Sequence, residues 1–509
     1  MPQSRKTARI ITRRMMSELD YRIRKVIPLV DEFLQATSVV DVDGGNLWSA
    51  VRYNANNAWY VNTTNGNVNN NNAYNRYGCV PCPSVDFLFP KMLEAEESCY
   101  RNKHHSLIAA RVHYHLSELF AYTKFICDNG LMVGRSKCFT LDYPVPREIF
   151  CAQYYDRNMH HLVAPLMTDI AEKEHLKCGS VSHGNRTGRS AFTAALAVQD
   201  ALRKVTDNWT KEAWLATQDY SGFFMSIPRQ KAADMFRELA EPYNEPFLTD
   251  VACLYIMSDP TIGCIRLSPE AAWRNVAQNK SLFTSRPGHG LPIGNFPSQI
   301  IANLYRTPVD AAIAKIDGVG QVVFVDDRMM CSADKDLLKC ALAVAEKESE
   351  KLGLTVSKTK RYFQKADKGV KFCGYVIKCD RIYISNRVVN ACKYMVSCYD
   401  GMTTPKEESE LSRQINSYFG LMAHARSYNI QKSIADKVLG AHKTLGFVRR
   451  HGQLVCYQKR VFTSVYKSLQ TIKNFKYNGN TLSWRSRSRA KRWNTYRRMA
   501  KKLQEYESR

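Results

Sequence analysis

Residues 321–328 read QVVFVDDR, an apolar, β-branched run that ends in two adjacent carboxylates and an arginine. Residues 213–219 read AWLATQD, a second short run of strand formers that also ends on an aspartate. An aspartate at the end of an apolar strand is costly unless it meets a cation or leads into a turn, and for a single such residue a turn or helix-cap role is the ordinary explanation. Carboxylates brought together from neighbouring strands can instead hold two divalent cations, a clamp suited to in-line phosphoryl displacement. One cation would activate a 3′-hydroxyl and the other would neutralise triphosphate and pyrophosphate charge. Two such strand ends in one strongly basic chain favour that second explanation.

The basicity is large. Against 73 Lys+Arg stand 47 Asp+Glu, a formal charge of +26, which favours a polyanionic partner. Residues 449–509 hold 17 Lys+Arg and two Asp+Glu, net +15, leaving +11 on the first 448 residues. The run WRSRSRAKRWNTYRRMAKK (484–502) interleaves Trp484, Trp493 and Tyr496 with nine basic residues and no acid. Guanidinium groups bind phosphates in bidentate fashion and aromatic faces stack on unpaired bases, so Arg485, Arg487, Arg489, Lys491, Arg492 and Trp493 are candidate nucleic-acid-binding residues. A solvated basic helix is the plainer explanation.

With 509 residues and 45% hydrophobic content the chain can fill several cores, which excludes disorder throughout. It has no apolar run long enough to span a bilayer and no apolar signal core at MPQSRKTARIITRRMM, so a soluble cytoplasmic protein without a membrane partner is expected. The 16 cysteines are scattered, and Cys79 and Cys82 lack a second pair to complete a zinc site, so reduced thiols are expected.

Between Asn46 and Asn75 there are 12 asparagines in 30 residues. Asparagine competes with the backbone for hydrogen bonds and tolerates positive φ, so this is turn material. AWYV, NTTNG and NVNN read as a short hairpin with Asn65-Gly66 in its turn. Beyond Phe87, helical periodicity covers 103–128, 190–203 and 333–352, and strand patterns cover 213–219, 321–327 and 370–377. Helices alternating with short strands indicate an α/β or α+β core.

The order of these blocks resembles that of reverse transcriptases with a right-hand palm. PREIFCAQYYDRNMHHLV (146–163) is similar to the first fingers block, with Asp156, Arg157, His160 and His161 on its helix. QDYSGFFMSI (218–227) resembles palm motif A, GLPIGNFPSQIIANLY (290–305) motif B, FVDD motif C, and LGLTVSKTK (352–360) motif D. KFCGYVI (371–377) resembles the primer grip, and INSYFGLMAHARSY (415–428) the first thumb helix.

The resemblance implies an α+β right-hand polymerase. Its parts would be an Asn-rich N-terminal extension (1–90), fingers (91–212), palm (213–380), thumb (381–446) and a basic C-terminal extension (447–509). It implies two Mg²⁺ ions, with Mn²⁺ as a substitute, held by Asp219, Asp326 and Asp327 with Tyr220 beside them. Lys360, or Lys358, would assist pyrophosphate departure. Gly222 and Phe223 would meet the triphosphate through their amides, and the ring of Phe224 would crowd a ribose 2′-hydroxyl and favour deoxynucleotides. Arg186 and Arg189 in GSVSHGNRTGRS are offered to the incoming phosphates, although its glycines equally suit a plain loop. Phe372, Gly374 and Tyr375 would form the primer grip.

Many reverse transcriptases have Gln-Gly in motif B; this chain has Ile293-Gly294 followed by Ser298-Gln299. An aliphatic residue there moves nucleotide selection from hydrogen bonding toward shape. This pattern, with QDYSGFFMSI and INSYFG, resembles the enzymes of diversity-generating retroelements and of bacterial defence systems. The extensions favour defence, with a noncoding RNA template, dNTPs, a DNA product and self-association as the implied partnerships. The Asn-rich run is similar to variable segments of retroelement target proteins, which favours adenine-directed mutagenesis instead. A noncatalytic RNA-binding scaffold is the alternative from another class, and Tyr496 and Tyr506 are candidate protein primers.

Overall fold

The structure, a computed structural model, describes residues 51–53, 59–61, 85–101, single positions from 103 to 133, and 135–459 apart from 142–144, 359–360, 402–403 and 451–452. They fall into two units, divided between Arg381 and Ile382.

The first unit opens with β1 (Val51–Tyr53) and β2 (Trp59–Val61), paired antiparallel with Val51 opposite Val61 and Tyr53 opposite Trp59. Of the expected AWYV strand, Trp59–Val61 is present and pairs with Val51–Tyr53, and its expected partner NVNN lies outside the described residues. The expected turn at Asn65-Gly66 lies outside the described residues.

Then come α1 (Val85–Tyr100), β3 (Lys137–Leu141), β4 (Arg147–Cys151), α2 (Tyr154–Lys177), α3 (Ala191–Val205) and β5 (Trp214–Gln218). Next are α4 (Arg229–Ala240), α5 (Pro246–Met257), β6 (Ile265–Arg266), α6 (Phe296–Tyr305), α7 (Thr307–Ala314), β7 (Gly320–Phe324) and β8 (Asp327–Ser332). The unit closes with α8 (Lys335–Lys351), β9 (Tyr362–Lys365), β10 (Val370–Phe372) and β11 (Tyr375–Ile377). Local chemistry sets several boundaries. The Ser190 hydroxyl accepts from the Thr193 amide in a capping box that starts α3, and the Asp334 carboxylate accepts from the amides of Asp336 and Leu337 at the start of α8.

The central sheet has the order β7-β8-β5-β9 with every pair antiparallel. Ala216 and Met330 on one of its faces pack against Leu338, Ala341, Leu342 and Ala345 of α8 and Val309 and Ile313 of α7. A larger core joins α1, α2, α4, α5 and α6 around Met159, Leu166, Phe236, Val251 and Ile301. The expected single strand at 370–377 is a hairpin. Phe372 pairs with Tyr375 across Cys373 and Gly374, whose φ values of +49° and +84° fold the chain back on itself.

The second unit contains β12 (Ile382–Ile384), α9 (Asn386–Ser397), α10 (Pro405–Ala423), α11 (Tyr428–Ala441), and the hairpin β13 (Leu445–Arg450) and β14 (Gln453–Gln458). Helix α10 starts on a capping box between Thr404 and Glu407. The border expected between residues 446 and 447 falls inside β13. Asn416 of the INSYFG block anchors the hairpin: its Oδ1 accepts from the Cys456 amide at 2.7 Å and its Nδ2 donates to the Cys456 carbonyl at 2.8 Å. Among the described residues no helix is long and apolar enough to cross a membrane, and no two cysteines are joined.

Candidate active site

The β7–β8 hairpin closes on the pair Phe324–Asp327, leaving Val325 and Asp326 as its two-residue turn. Val325 has a φ of +56°. A β-branched residue there costs about 1–3 kcal/mol and persists only where neighbours hold it. The neighbour is the segment after α2. Ser182 bridges Val323 in parallel, the His183 amide donates to the Val323 carbonyl at 2.8 Å, and the Val323 amide donates to the Val181 carbonyl at 2.9 Å. The free edge of β7 is thereby covered.

Asp219 follows β5 directly. The ladder pairs Gln218 with Arg328, so Asp219, one residue further, comes level with Asp327. Asp219 is 4% exposed, and its Oδ1 accepts from the Tyr220 amide at 2.8 Å. From the other side the Ser357 amide donates to the Asp219 carbonyl and the Ser221 amide to the Thr355 carbonyl, each at 2.8 Å, so the motif D segment braces motif A. The Tyr220 side chain turns into the core, its hydroxyl 3.0 Å from Ser349 Oγ and its ring stacked on Phe223, so only its backbone is available to a ligand. Gly222 has a φ of +63°, and a side chain there would strike the Asn279 carbonyl. Half-buried Phe224 stands edge-on to Phe223, its carbonyl accepting from the Leu291 amide at 2.8 Å.

Motif B is fixed to the fingers strand: the Phe150 amide donates to the Ile293 carbonyl at 2.8 Å, and Gly294, exposed at φ +115°, lies against the Phe150 carbonyl. Ser298 is buried and Gln299 half-buried on α6. Of the expected primer-grip residues, Phe372 and Tyr375 are buried, so the Cys373-Gly374 turn is what the β10–β11 hairpin presents. Burial pushes the Cys373 thiol up, and the Asp327 and Asp326 carboxylates push it further, which places this turn within electrostatic reach of both. Lys358 is exposed directly after Ser357. Lys360, and the six basic and aromatic candidates from Arg485 to Trp493, lie outside the described residues.

Arg186 is buried. Its Nε and Nη2 donate to the two oxygens of Glu172 at 2.9 and 2.6 Å, and its Nη1 donates to the Ser182 carbonyl at 2.7 Å, which makes it a brace for the segment beside β7. Arg189 is exposed and donates to Ser180 Oγ at 3.1 Å. On α2, Asp156 accepts from the Tyr255 hydroxyl at 3.0 Å, and His160 stands edge-on to that ring with its pKa lowered to about 3 by burial. Both are interior residues.

Beside the Val325-Asp326 turn lies a network that sequence reasoning missed. Asp310 Oδ1 accepts from Arg328 Nη2 at 2.6 Å and from Arg306 Nη1, and Arg328 Nη1 donates to Gln321 Oε1 at 2.6 Å. The side chains of Arg306, Asp310 and Arg328 are at most 1% exposed. An arginine inside a strand, directly after two aspartates, was the signal that could have found it.

Among the described residues no three His, Cys, Asp or Glu side chains already converge as a metal cage. The donors at the sheet edge are nonetheless all oxygens, from Asp219, Asp326, Asp327 and the Tyr220 backbone. A set without thiolate or imidazole suits a hard divalent cation.

Residues 146–377 match the family described as reverse transcriptase (RNA-dependent DNA polymerase). That span starts on the PREIF block and ends on the β10–β11 hairpin. No curated protein matches the chain. Among solved structures, the chain is similar to telomerase from Candida albicans in complex with a fragment of telomeric RNA, at 10% identity and a TM-score of 0.40, with 60% of this chain and 55% of that one covered. It is also similar to apo telomerase from Candida tropicalis, at 10% identity and a TM-score of 0.37, with 65% and 64% covered. The chain thus spans less than two thirds of the length of these structures. Residues 146–377 thus match a reverse transcriptase domain, a nucleotidyltransferase domain, within a chain of mixed helix and sheet.

Proposed function

We propose that this chain is an RNA-directed DNA polymerase that copies a partner noncoding RNA into DNA in bacterial anti-phage defence. The observation that carries the polymerase reading is the placement of Asp219 level with Asp327, beside the Val325-Asp326 turn, on one edge of the central sheet. Asp219, Asp326, Asp327 and the Tyr220 backbone would hold Mg²⁺, or Mn²⁺ in its place. Bound there, the two ions supply charge neutralisation at the triphosphate and acidify the primer hydroxyl. The protein's own groups orient the reactants. The Gly222 and Phe223 amides cap the phosphates, the Phe224 ring excludes a 2′-hydroxyl, and Lys360 or Lys358 donates a proton to the leaving pyrophosphate. The Cys373-Gly374 turn supports the primer end.

Purified protein given Mg²⁺, dNTPs and a primed RNA should make DNA, and Asp326→Ala with Asp327→Ala should abolish it. Absence of any aspartate-dependent product across varied templates would refute polymerase activity and favour the RNA-binding scaffold. The defence role rests on the long extensions around the catalytic core. It fails if cells with the wild-type locus and cells with the double alanine variant plate phage equally. The retroelement role rests on the Asn-rich run and requires a near-copy of that DNA differing mainly at adenines.

A further inference from the structure

We propose that the segment Val181–Gly184 is the positioning element of the catalytic turn, with Gly184 the residue whose missing side chain allows it; this rests on the polymerase reading above. Gly184 is not among the residues with positive φ, so its backbone conformation does not call for glycine. Close approach does. A Cβ at this position would lie 2.5 Å from Val325 Cγ2 and 2.8 Å from the Val325 nitrogen. The segment therefore presses, backbone against backbone, on the one residue of the turn that is held in an unfavourable conformation.

The segment is itself tied down at each point where it could yield. Ser182 Oγ accepts from Arg306 Nη2 at 3.2 Å, the Ser182 carbonyl accepts from Arg186 at 2.7 Å, and the Gly184 carbonyl accepts from Asn303 Nδ2 at 2.6 Å. Asn303 is 1% exposed on α6, the helix that begins in motif B, and Arg306 caps its C-terminal end. The bracket thus links the motif B helix to the motif C turn. If it loosens, Val325 relaxes toward negative φ, the Val325–Asp326 peptide rotates, and the Asp326 carboxylate is re-aimed. Metal ligands tolerate only about 0.5 Å and 10–20° of misplacement, so the loss appears in metal affinity before it appears in folding.

The test compares the full chain with Gly184→Ala, Val325→Gly and the double variant, reading Mn²⁺ binding by EPR, thermal unfolding, and synthesis on primed RNA at varied Mg²⁺. Gly184→Ala is expected to weaken Mn²⁺ binding about tenfold or more and to raise the Mg²⁺ requirement in step. It should lower kcat while leaving KM for dNTP little changed. Val325→Gly removes Cγ2 and adopts positive φ without strain but leaves the contact with the backbone nitrogen at 325, so in the double variant it should restore part of the Mn²⁺ affinity. Wild-type Mn²⁺ binding by Gly184→Ala, or a folded Gly184→Ala whose loss Val325→Gly does not recover, overturns the proposal. If Gly184→Ala does not fold, Asn303→Leu removes one anchor without adding an atom against the turn, and unchanged Mn²⁺ binding in that variant overturns it equally. Asp326→Asn gives the reference for a lost ligand. A wild-type chain that makes no DNA yet shows this Mn²⁺ pattern refutes the polymerase reading and keeps the bracket. A chain with no Asp326-dependent Mn²⁺ site refutes both.

Discussion

Replacing Asp310 by asparagine should be among the most damaging single changes available away from the surface of the first unit. Asp310 Oδ1 receives both Arg306 and Arg328, and all three side chains are at most 1% exposed, so one carboxylate already serves two buried guanidinium groups. Asparagine keeps an oxygen for one of them and removes the charge. Breaking a buried ion pair on one side costs about 3–5 kcal/mol, because the remaining charge stays buried without its counter-charge. At about 2–4 °C per kcal/mol for a domain of this size, thermal unfolding should fall by about 6–20 °C. Alanine should cost about 1.5–3 kcal/mol more than asparagine through the lost charge-assisted hydrogen bonds. Replacing the whole triad, with Arg306→Met, Asp310→Leu and Arg328→Met together, removes the desolvation penalty along with the attraction. That variant should lie closer to wild type in stability than Asp310→Asn does. Denaturant unfolding followed by circular dichroism measures all three. A cost below about 1 kcal/mol for Asp310→Asn, or a triple variant less stable than the single one, would show that the network is not the charge-balanced core described above.

Three further outcomes can be measured independently. Phe224→Ala opens the space beside Gly222 and should cut discrimination against ribonucleotides by about 10- to 200-fold, read by competitive incorporation of matched dNTP and rNTP. His175 is 1% exposed, with neither ring nitrogen hydrogen-bonded among the described residues, and its pKa is lowered to about 4 chiefly by burial and then by Arg186 and Arg306. The unfolded chain therefore takes up this proton first, so stability falls as pH drops from about 6.5 toward 4 and levels off below; His175→Leu should flatten that slope by one proton, while an unchanged slope refutes the assignment. Asn416→Ala leaves the Cys456 amide without its side-chain partner, while the Cys456 carbonyl keeps the Ser412 hydroxyl as a donor at 3.1 Å; it should cost about 1–3 kcal/mol, seen as faster hydrogen exchange at Cys456, and wild-type exchange there would mean the hairpin holds without Asn416.

What could be read in advance followed from chemistry that is local in the chain. An aspartate closing an apolar run declares itself within seven residues, and Asp219, Asp326 and Asp327 do lie on one sheet edge. The α+β alternation is equally a matter of short-range periodicity. What could not be read depends on partners remote in sequence. Arg186, with its flanking glycines, has the look of a phosphate ligand until Glu172 arrives from the preceding helix. The contact between Asn303 and Gly184 spans 119 residues, and no spacing rule links an asparagine in motif B to a glycine in a fingers segment. The 370–377 hairpin escaped for a different reason. A cysteine at positive φ is uncommon, so Cys373-Gly374 carries a weaker turn signal than Asn-Gly would.

Where the charge sits follows from the same separation of interior from surface. The buried ionisable groups among the described residues include four arginines, at positions 186, 229, 306 and 328, and six carboxylates: Glu96, Glu148, Asp156, Asp219, Asp310 and Glu408. Their formal net is −2, and all lie within the first 448 residues, whose total is +11; the other residues of that stretch therefore carry +13. No lysine is among the buried groups. Among the described residues the interior thus holds more acid than base, which leaves the rest of this stretch more basic than its composition alone indicates. Of the six carboxylates, Asp219 is the one at the proposed metal site, where bound cations would meet it. Under the proposed function, the basic residues outside this buried set would meet a polyanionic template while Asp219 meets the metals.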